Sequence, residues 1–169
     1  LDKEISNDEI IEGVIDGIVD GMVKYDIQVG LITIVSRTLD YEANRQGTLD
    51  VISYSKNGRH PGADRLLGFD LADRENTTEP SDFSELVNIS REAGLGITVH
   101  SGEDTDASGV QKTLEVLNPD RIGHGVNAWQ DMQVVEMLKE RDVLLELCPT
   151  SNWLTQCVPV LAEHPLPDF

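Results

Sequence analysis

The chain has 169 residues, 39% of them hydrophobic, which is enough for one sizeable core, and no apolar run is long enough to cross a membrane. The formal net charge is -18 at pH 7, from 31 acidic and 13 basic residues, so we expect no nucleic-acid partner, because such a surface repels phosphate. With no export signal and only Cys148 and Cys157, which form no C-x-x-C pair, we expect a reduced, cytoplasmic protein.

Helical and strand-like patterns alternate along the chain. A capping box from Ser6 to Glu9, followed by apolar residues at helical spacing as far as Val23, predicts the first helix. The continuously apolar, β-branched residues 29–35 predict a strand that is covered on both faces. Further helices are predicted at about 41–54, 81–93, 108–117, 129–141 and 155–163, and further strands at 66–71, 96–100, 121–125 and 143–148.

This alternation predicts an α/β fold with a parallel sheet, in a single domain over residues 1–169. Each βα unit takes roughly 30 residues, as in a (β/α)8 TIM-type barrel of about 250 residues, so the chain is either an open doubly wound sheet or part of a barrel. The predicted strands end on polar or small residues, namely Ser36-Arg37, Asp70, Asp73, His100, Glu103, His124, and Cys148 to Asn152. A barrel brings such strand ends to a common centre, and no glycine-rich phosphate loop supports an open nucleotide-binding sheet. We therefore favour the barrel.

Three segments, in order, carry a resemblance to a known family. They are T-V-H-S-G-E at 98–103, R-I-G-H-G at 121–125 and E-L-C-P-T-S-N at 146–152, and F-D-L-A at 69–72 extends the match. Together they resemble the adenosine deaminase family of zinc hydrolases, over nearly the whole chain. The resemblance implies a (β/α)8 barrel with one Zn²⁺ ion, in which this chain would supply about the third to the seventh strands.

The resemblance also implies roles for individual residues. His100 would be a zinc ligand, and Glu103 would protonate the purine ring at N1. His124 would orient the attacking water and stabilise the charge that develops at C6. The implied reaction converts adenosine, or deoxyadenosine, to inosine and ammonia in purine salvage. Asp73 stands where the family usually has a glycine whose backbone N–H meets purine N3, so it is the expected substrate-binding residue.

Two zinc-binding segments of the family are absent from the chain: the His-x-His of strand one and the Asp-Asp-Pro of strand eight. A catalytic zinc needs about three protein ligands, so we expect an internal, inactive portion of a barrel. Its partners would be a small-molecule purine nucleoside and either the missing barrel strands or a second copy, because apolar strand edges would otherwise be exposed. Arg37, Asp70 and Asn152 are expected to contact and support the site residues without contacting the substrate or the metal.

Three alternatives stay open. The same barrel could deaminate adenine or another 6-aminopurine, or the chain could be a non-catalytic fragment that binds only its missing half. The loop from Asp104 to Glu115 nearly matches the calcium loop of an EF-hand, although it follows a strand rather than a helix. Outside these motifs, we expect Cys148 to pack in the interior, and His60 and His164 to be exposed in proline-containing loops.

Overall fold

The sheet has five parallel strands in which each strand pairs with the next one along the chain. The computed structural model describes residues 5–57 and 60–169. The strands are β1 (Leu31–Ser36), β2 (Leu66–Ala72), β3 (Gly96–Ser101), β4 (Arg121–His124) and β5 (Leu144–Glu146), in the spatial order β1-β2-β3-β4-β5. All four pairings are parallel. The predicted α/β class is therefore confirmed, and the strand order shows none of the reversal that defines a doubly wound sheet.

Within the described residues, six α-helices connect and flank the strands. They are α1 (Asn7–Tyr25), α2 (Tyr41–Asn57), α3 (Ser84–Glu92), α4 (Ala107–Leu117), α5 (Met132–Glu140) and α6 (Pro149–Leu154). The capping box predicted for α1 is present, because the Ser6 hydroxyl accepts from the backbone N–H of Glu9 and the Glu9 carboxylate accepts from that of Ser6. Among the described helices, none is long and apolar enough to cross a membrane.

Two hydrophobic clusters join the helices to one face of the sheet. The first combines side chains of β1, β2 and β3 with α3, the turns on either side of it and the end of α4: Val35, Phe69, Leu71, Phe83, Leu86, Val87, Leu95, Ile97, Val99 and Leu117. The second joins β4 to α4 and α5: Ala107, Val110, Leu114, Ile122, Ala128, Val134 and Leu138. Burial of these side chains is the main favourable contribution to folding and holds the strand ends in fixed positions.

Strand alternation determines which side chains leave the core. Successive residues of a strand point to opposite faces, so Phe69 and Leu71 of β2 and Val99 of β3 pack against the helices. Asp70 and His100, which lie between these positions, therefore project from the other face. The fold thus places both polar side chains on the same side of the sheet.

The predicted helix at 155–163 is wrong. The structure instead has the short helix α6, Pro149–Leu154, and a separate 3-10 turn at Leu161–Glu163. Pro149 favours an earlier start because its fixed φ suits the first helical turn. Pro159 lies inside the predicted span and has no N–H for a helical hydrogen bond, so the helix cannot continue there.

Two predictions about individual side chains are also wrong. Cys148 is exposed rather than packed inside, because β5 ends at Glu146 and Cys148 lies between that strand and α6. The His60 side chain is only 15% exposed, and its Nε2 lies 3.1 Å from Oδ1 of Asp16 on α1. The self-association expected of the chain stays a prediction, because the structure contains a single copy of the chain.

Candidate functional site

His100 lies at the carboxyl end of β3 and is held from two sides. Its Nδ1 lies 3.0 Å from Oδ1 of Asp70, on the neighbouring strand β2. The Arg37 guanidinium, which is buried after β1, donates to the His100 carbonyl oxygen at 2.7 Å. The structure therefore places Arg37 and Asp70 in contact with His100, and the Asp70 contact leaves Nε2 as the ring nitrogen that can bind a ligand.

The Asp70 carboxylate also changes the protonation of His100. Desolvation by burial is the largest single influence and lowers the pKa of the imidazole. The hydrogen bond and charge of Asp70, together with the charges of Glu103 and Glu75, act in the opposite direction. Their sum raises the pKa of His100 above its ordinary value, because a nearby negative charge stabilises the imidazolium.

The absence of a side chain at Gly123 leaves room for the His100 ring to pack closely against β4. It is the parallel-register partner of His100. A Cβ atom on Gly123 would lie 2.9 Å from Nδ1 and 3.1 Å from Cγ of His100, closer than carbon side chains normally approach. The residue was not predicted as part of the site, although it belongs to the R-I-G-H-G segment.

The turn after β3 carries Glu103. Gly102 has φ +78°, and a Cβ there would lie 2.5 Å from a methyl group of Val110, so both backbone and space require glycine. The buried Glu75 carboxylate accepts hydrogen bonds from the N–H groups of Gly102 and Glu103, at 2.7 and 2.9 Å. It also accepts from the Thr105 hydroxyl at 2.6 Å. Glu75 thus ties the turn to the segment that follows β2.

Sequence reasoning missed Glu75. Its partners on the turn are mostly backbone N–H groups, which leave no side-chain pattern in the sequence. The available signal was its place in D-L-A-D-R-E at 70–75, where it is the third carboxylate of the segment and the second after β2 ends.

His124 is the last residue of β4 and has an unusual backbone. Its φ is +64°, a left-handed conformation that is uncommon for residues other than glycine and recurs at functional sites. Its Nε2 lies 3.2 Å from Oε2 of Glu103, and its ring centroid lies 5.1 Å from that of His100. The structure therefore brings His100, Glu103 and His124 into one cluster.

Burial determines the charge state of His124. Desolvation lowers the pKa of this imidazole, and the positive charge of His100 contributes in the same direction. The Glu103 carboxylate opposes them, but the pKa remains below its ordinary value. This lowering of the pKa favours the neutral imidazole, in which one ring nitrogen donates while the other accepts.

A chain of buried polar groups continues behind His124. Asn152 is fully buried, and its Nδ2 lies 3.0 Å from Nδ1 of His124. On the other side, Asn152 Oδ1 lies 3.1 Å from Nε2 of His164. The prediction that His164 is exposed is wrong, because only 7% of it is accessible and it packs behind α6. Asn152, expected to support the site, does contact a site residue.

Thr155 was not predicted either. Its hydroxyl lies 2.9 Å from Oε1 of Glu103 and 3.0 Å from the Ser151 carbonyl oxygen. The hydroxyl has a single proton, so it can donate to one of these oxygens, and its own oxygen can accept a hydrogen bond from Glu103 when that carboxyl is protonated.

Asp73 directly follows β2, which ends at Ala72. Its carboxylate accepts hydrogen bonds from the hydroxyls of Ser36 and Thr38, at 2.7 and 2.5 Å, and from the Arg74 backbone N–H at 2.9 Å. The Ser36 and Thr38 hydroxyls and then this N–H lower its pKa to about 2. Its φ is +78°, a left-handed backbone conformation that glycine adopts without steric cost.

The low pKa predicts how the Asp73→Asn variant behaves with pH. The folded-state pKa is depressed from 3.8 to about 2, so ionised Asp73 contributes stability above about pH 4 and loses it as the pH falls toward 2. We expect the wild type to have a higher Tm than the variant at neutral pH. Because asparagine tolerates a positive φ, the Tm difference should be smaller than the loss of the charged hydrogen bonds alone would give. This Tm difference should shrink between pH 4 and 2. A pH-independent difference, measured by thermal melts at matched salt, would contradict the assigned contacts.

The described residues do not form a metal site on their own. Among them, no group of three or more His, Cys, Asp and Glu side chains is placed to hold a metal ion. His100 is arranged as one ligand backed by a carboxylate, which is the usual environment of a metal-binding histidine. Residues 5–57 and 60–169 therefore do not supply the three protein ligands of a catalytic zinc site.

The calcium-binding alternative is wrong. Helix α4 (Ala107–Leu117) contains residues 107–115, which are most of the proposed loop. The Asp106 carboxylate caps that helix by accepting hydrogen bonds from the N–H groups of Ser108 and Gly109. The oxygen that accepts them has a structural role in the helix cap. Gln111 and Glu115 bond to each other along the helix surface.

Comparison with known proteins establishes the family. A family model described as adenosine deaminase matches residues 1–169. The chain belongs to the adenosine deaminase family. It is 36% identical over 159 residues to an adenine deaminase of Rhizobium meliloti (strain 1021), covering 94% of this chain and 47% of the relative. It is 39% identical over 143 residues to an adenosine deaminase of Edwardsiella ictaluri (strain 93-146), covering 85% and 40%.

Solved structures show the same fold in larger chains. An adenine deaminase from Arthrobacter aurescens superposes with a TM-score of 0.81 and 29% identity, covering 97% of this chain and 48% of that one. An amidohydrolase from Burkholderia ambifaria, solved with bound Zn, gives a TM-score of 0.78 at 21% identity, which shows the fold alone, and covers 96% and 44%. The chain spans about half the length of the relatives it matches.

Proposed function

We propose that the chain forms part of the active site of a hydrolase that removes the 6-amino group of a purine as ammonia. The observation that carries the proposal is the cluster of His100, Glu103 and His124 at adjoining strand ends, in a member of the adenosine deaminase family. Catalytic residues of barrel enzymes lie at this end of the strands.

Glu103 is the proposed proton donor to the purine ring. A proton placed on ring N1 withdraws electrons from C6, so water adds there more readily, and the amino group then leaves as ammonia. The carboxyl has two partners that keep it in place, His124 on Oε2 and Thr155 on Oε1. Glu75 fixes the backbone beneath it, which keeps the carboxyl at one distance from a bound ring.

Zinc is the proposed cofactor, with His100 as one ligand. When bound, zinc would supply an activated water near neutral pH. At least part of the ligand set must come from outside the described residues, because these form no group of three side chains placed to hold a metal ion. This makes additional polypeptide, or another copy of the chain, the proposed partner besides the purine.

Two substrates are candidates, adenine and adenosine. The matching curated relatives are mostly adenine deaminases at about 35% identity, although an adenosine deaminase is among them. This favours adenine over the adenosine and deoxyadenosine expected from the sequence. In both cases the Asp73 backbone N–H is the proposed partner of purine N3, since its carboxylate is occupied by Ser36 and Thr38.

A small substrate panel tests the proposal. The protein that carries this chain is supplied with zinc and offered adenine, adenosine and deoxyadenosine at equal concentrations, and ammonia is measured. We expect release from adenine first, with a smaller kcat/KM for the nucleosides. A higher kcat/KM for adenosine would contradict the proposed order of substrates but would agree with the proposed deamination reaction. No ammonia from any of the three, in a folded and zinc-loaded sample, would contradict the proposed function.

A further inference from the structure

The buried polar chain behind the site begins at a backbone N–H group. The amide of Leu166 donates to Nδ1 of His164 at 3.0 Å. A backbone N–H can only donate, so Nδ1 of His164 must hold a lone pair, and the proton of the neutral ring must be on Nε2. The tautomer of His164 is therefore fixed by the main chain.

This tautomer determines the orientation of Asn152. Nε2 of His164 carries a proton, so the Asn152 atom that faces it at 3.1 Å must be the acceptor Oδ1. The amide nitrogen of Asn152 then points the other way and donates to Nδ1 of His124 at 3.0 Å. The Asn152 main chain is itself bonded, through its N–H to Cys148 and its carbonyl oxygen to Val158, so the side chain has a rigid base.

The same logic reaches His124. Because Nδ1 accepts from Asn152, the single proton of the neutral ring is on Nε2, the atom that lies 3.2 Å from Oε2 of Glu103. We propose that His164 is a positioning residue that, through Asn152, holds His124 as the tautomer protonated on Nε2 and directed at Glu103. His124 is then a hydrogen-bond donor toward the site, and His164 acts on it without touching a substrate.

Burial makes the arrangement rigid. Asn152 is 0% exposed, and His164 and His124 are 7% and 8% exposed, so water cannot readily replace any of these partners. Reversing one member would place two donors or two acceptors opposite each other and leave a buried polar group without a hydrogen-bond partner, which is unfavourable. The tautomer rests on these hydrogen bonds alone, whereas its catalytic consequence rests on the proposed deaminase function.

Nitrogen NMR of protein labelled in its histidine rings measures the tautomer directly. Ring-nitrogen shifts distinguish a protonated from an unprotonated nitrogen, and the His124→Gln variant assigns the signal. We expect wild-type His124 to be protonated on Nε2 and unprotonated on Nδ1. In His164→Phe, Asn152 is free to turn its oxygen toward His124, so the Nδ1-protonated form should appear. In Asn152→Asp the carboxylate accepts from both rings, and Nδ1 of His124 should carry a proton.

Kinetics add a second readout. We expect His164→Phe to lower kcat about tenfold with little change in KM, as for other residues that orient a functional histidine. His164→Gln keeps one donor and one acceptor and should restore the wild-type tautomer and most of kcat. If His164→Phe does not fold, Asn152→Asp still tests the inference, because it is expected to move the His124 proton to Nδ1.

The outcomes separate the two proposals. An Nδ1-protonated His124 in wild type, or a tautomer unchanged in folded His164→Phe and Asn152→Asp, would overturn the positioning role. The expected tautomers in a zinc-loaded protein that releases no ammonia would instead contradict the deaminase function and leave the positioning role intact.

Discussion

Glu103→Gln should lower the deamination rate by about 10²–10⁴-fold, the usual contribution of a positioned acid. The glutamine amide has nearly the same shape and can still accept from Nε2 of His124, but it has no acidic proton to give to the purine. The fold should be unaffected, because Glu75 holds the turn through backbone N–H groups that the substitution leaves unchanged. The measurement is kcat/KM for adenine beside a far-UV circular dichroism spectrum.

A matched control is Glu92→Gln, which changes an exposed carboxylate at the end of α3. Its kcat/KM should stay within about twofold of wild type, since exposed substitutions away from the site change little. If Glu103→Gln retained wild-type activity, proton transfer would have to come from another group, and the role assigned to Glu103 would be wrong.

Gly123→Ala should lower activity about 10²-fold, the cost of misplacing a reacting group by about 1 Å. The added methyl group would lie 2.9 Å from Nδ1 of His100, so the ring must shift. Because Asp70 holds that same nitrogen, the shift breaks or lengthens the Asp70 hydrogen bond and moves Nε2 away from its present position. The expected signature is a loss of kcat together with weaker zinc affinity.

Gly17→Ala provides the control for the same chemical change. A Cβ at Gly17 of α1 meets nothing within 4 Å. Alanine there should raise stability by about 0.5–1 kcal/mol, because glycine is less favourable than alanine inside a helix, and should leave activity unchanged. Equal activity of both alanine variants would show that the packing of His100 against β4 does not matter for the site.

Residues at strand ends were predictable from the sequence. A parallel sheet brings the carboxyl ends of its strands to one edge, so His100, Glu103 and His124 could be grouped before any contact was known. The expected supporting residues Asp70 and Asn152 also lie against them, because Asp70 is on the neighbouring strand β2 and Asn152 is on α6, the short helix that follows β5.

Other contacts left no readable pattern. Glu75 binds backbone N–H groups of a turn 27 residues further along the chain, and such groups are the same for every sequence. His164 was expected to be exposed because a lone histidine before a proline is typical of a surface loop. Its burial depends on how the segment after α6 folds back over Asn152, which is a tertiary contact. The wrong helix at 155–163 lies in that same segment.

Hydrolytic removal of a purine 6-amino group can be followed by product analysis in water labelled with heavy oxygen. The zinc-loaded protein that carries this chain is incubated with adenine, and the purine product is examined by mass spectrometry beside the ammonia released. We expect one ammonia per product and heavy oxygen bound at C6. Unchanged adenine in a folded, zinc-loaded sample, or a product without the heavy oxygen, would contradict it.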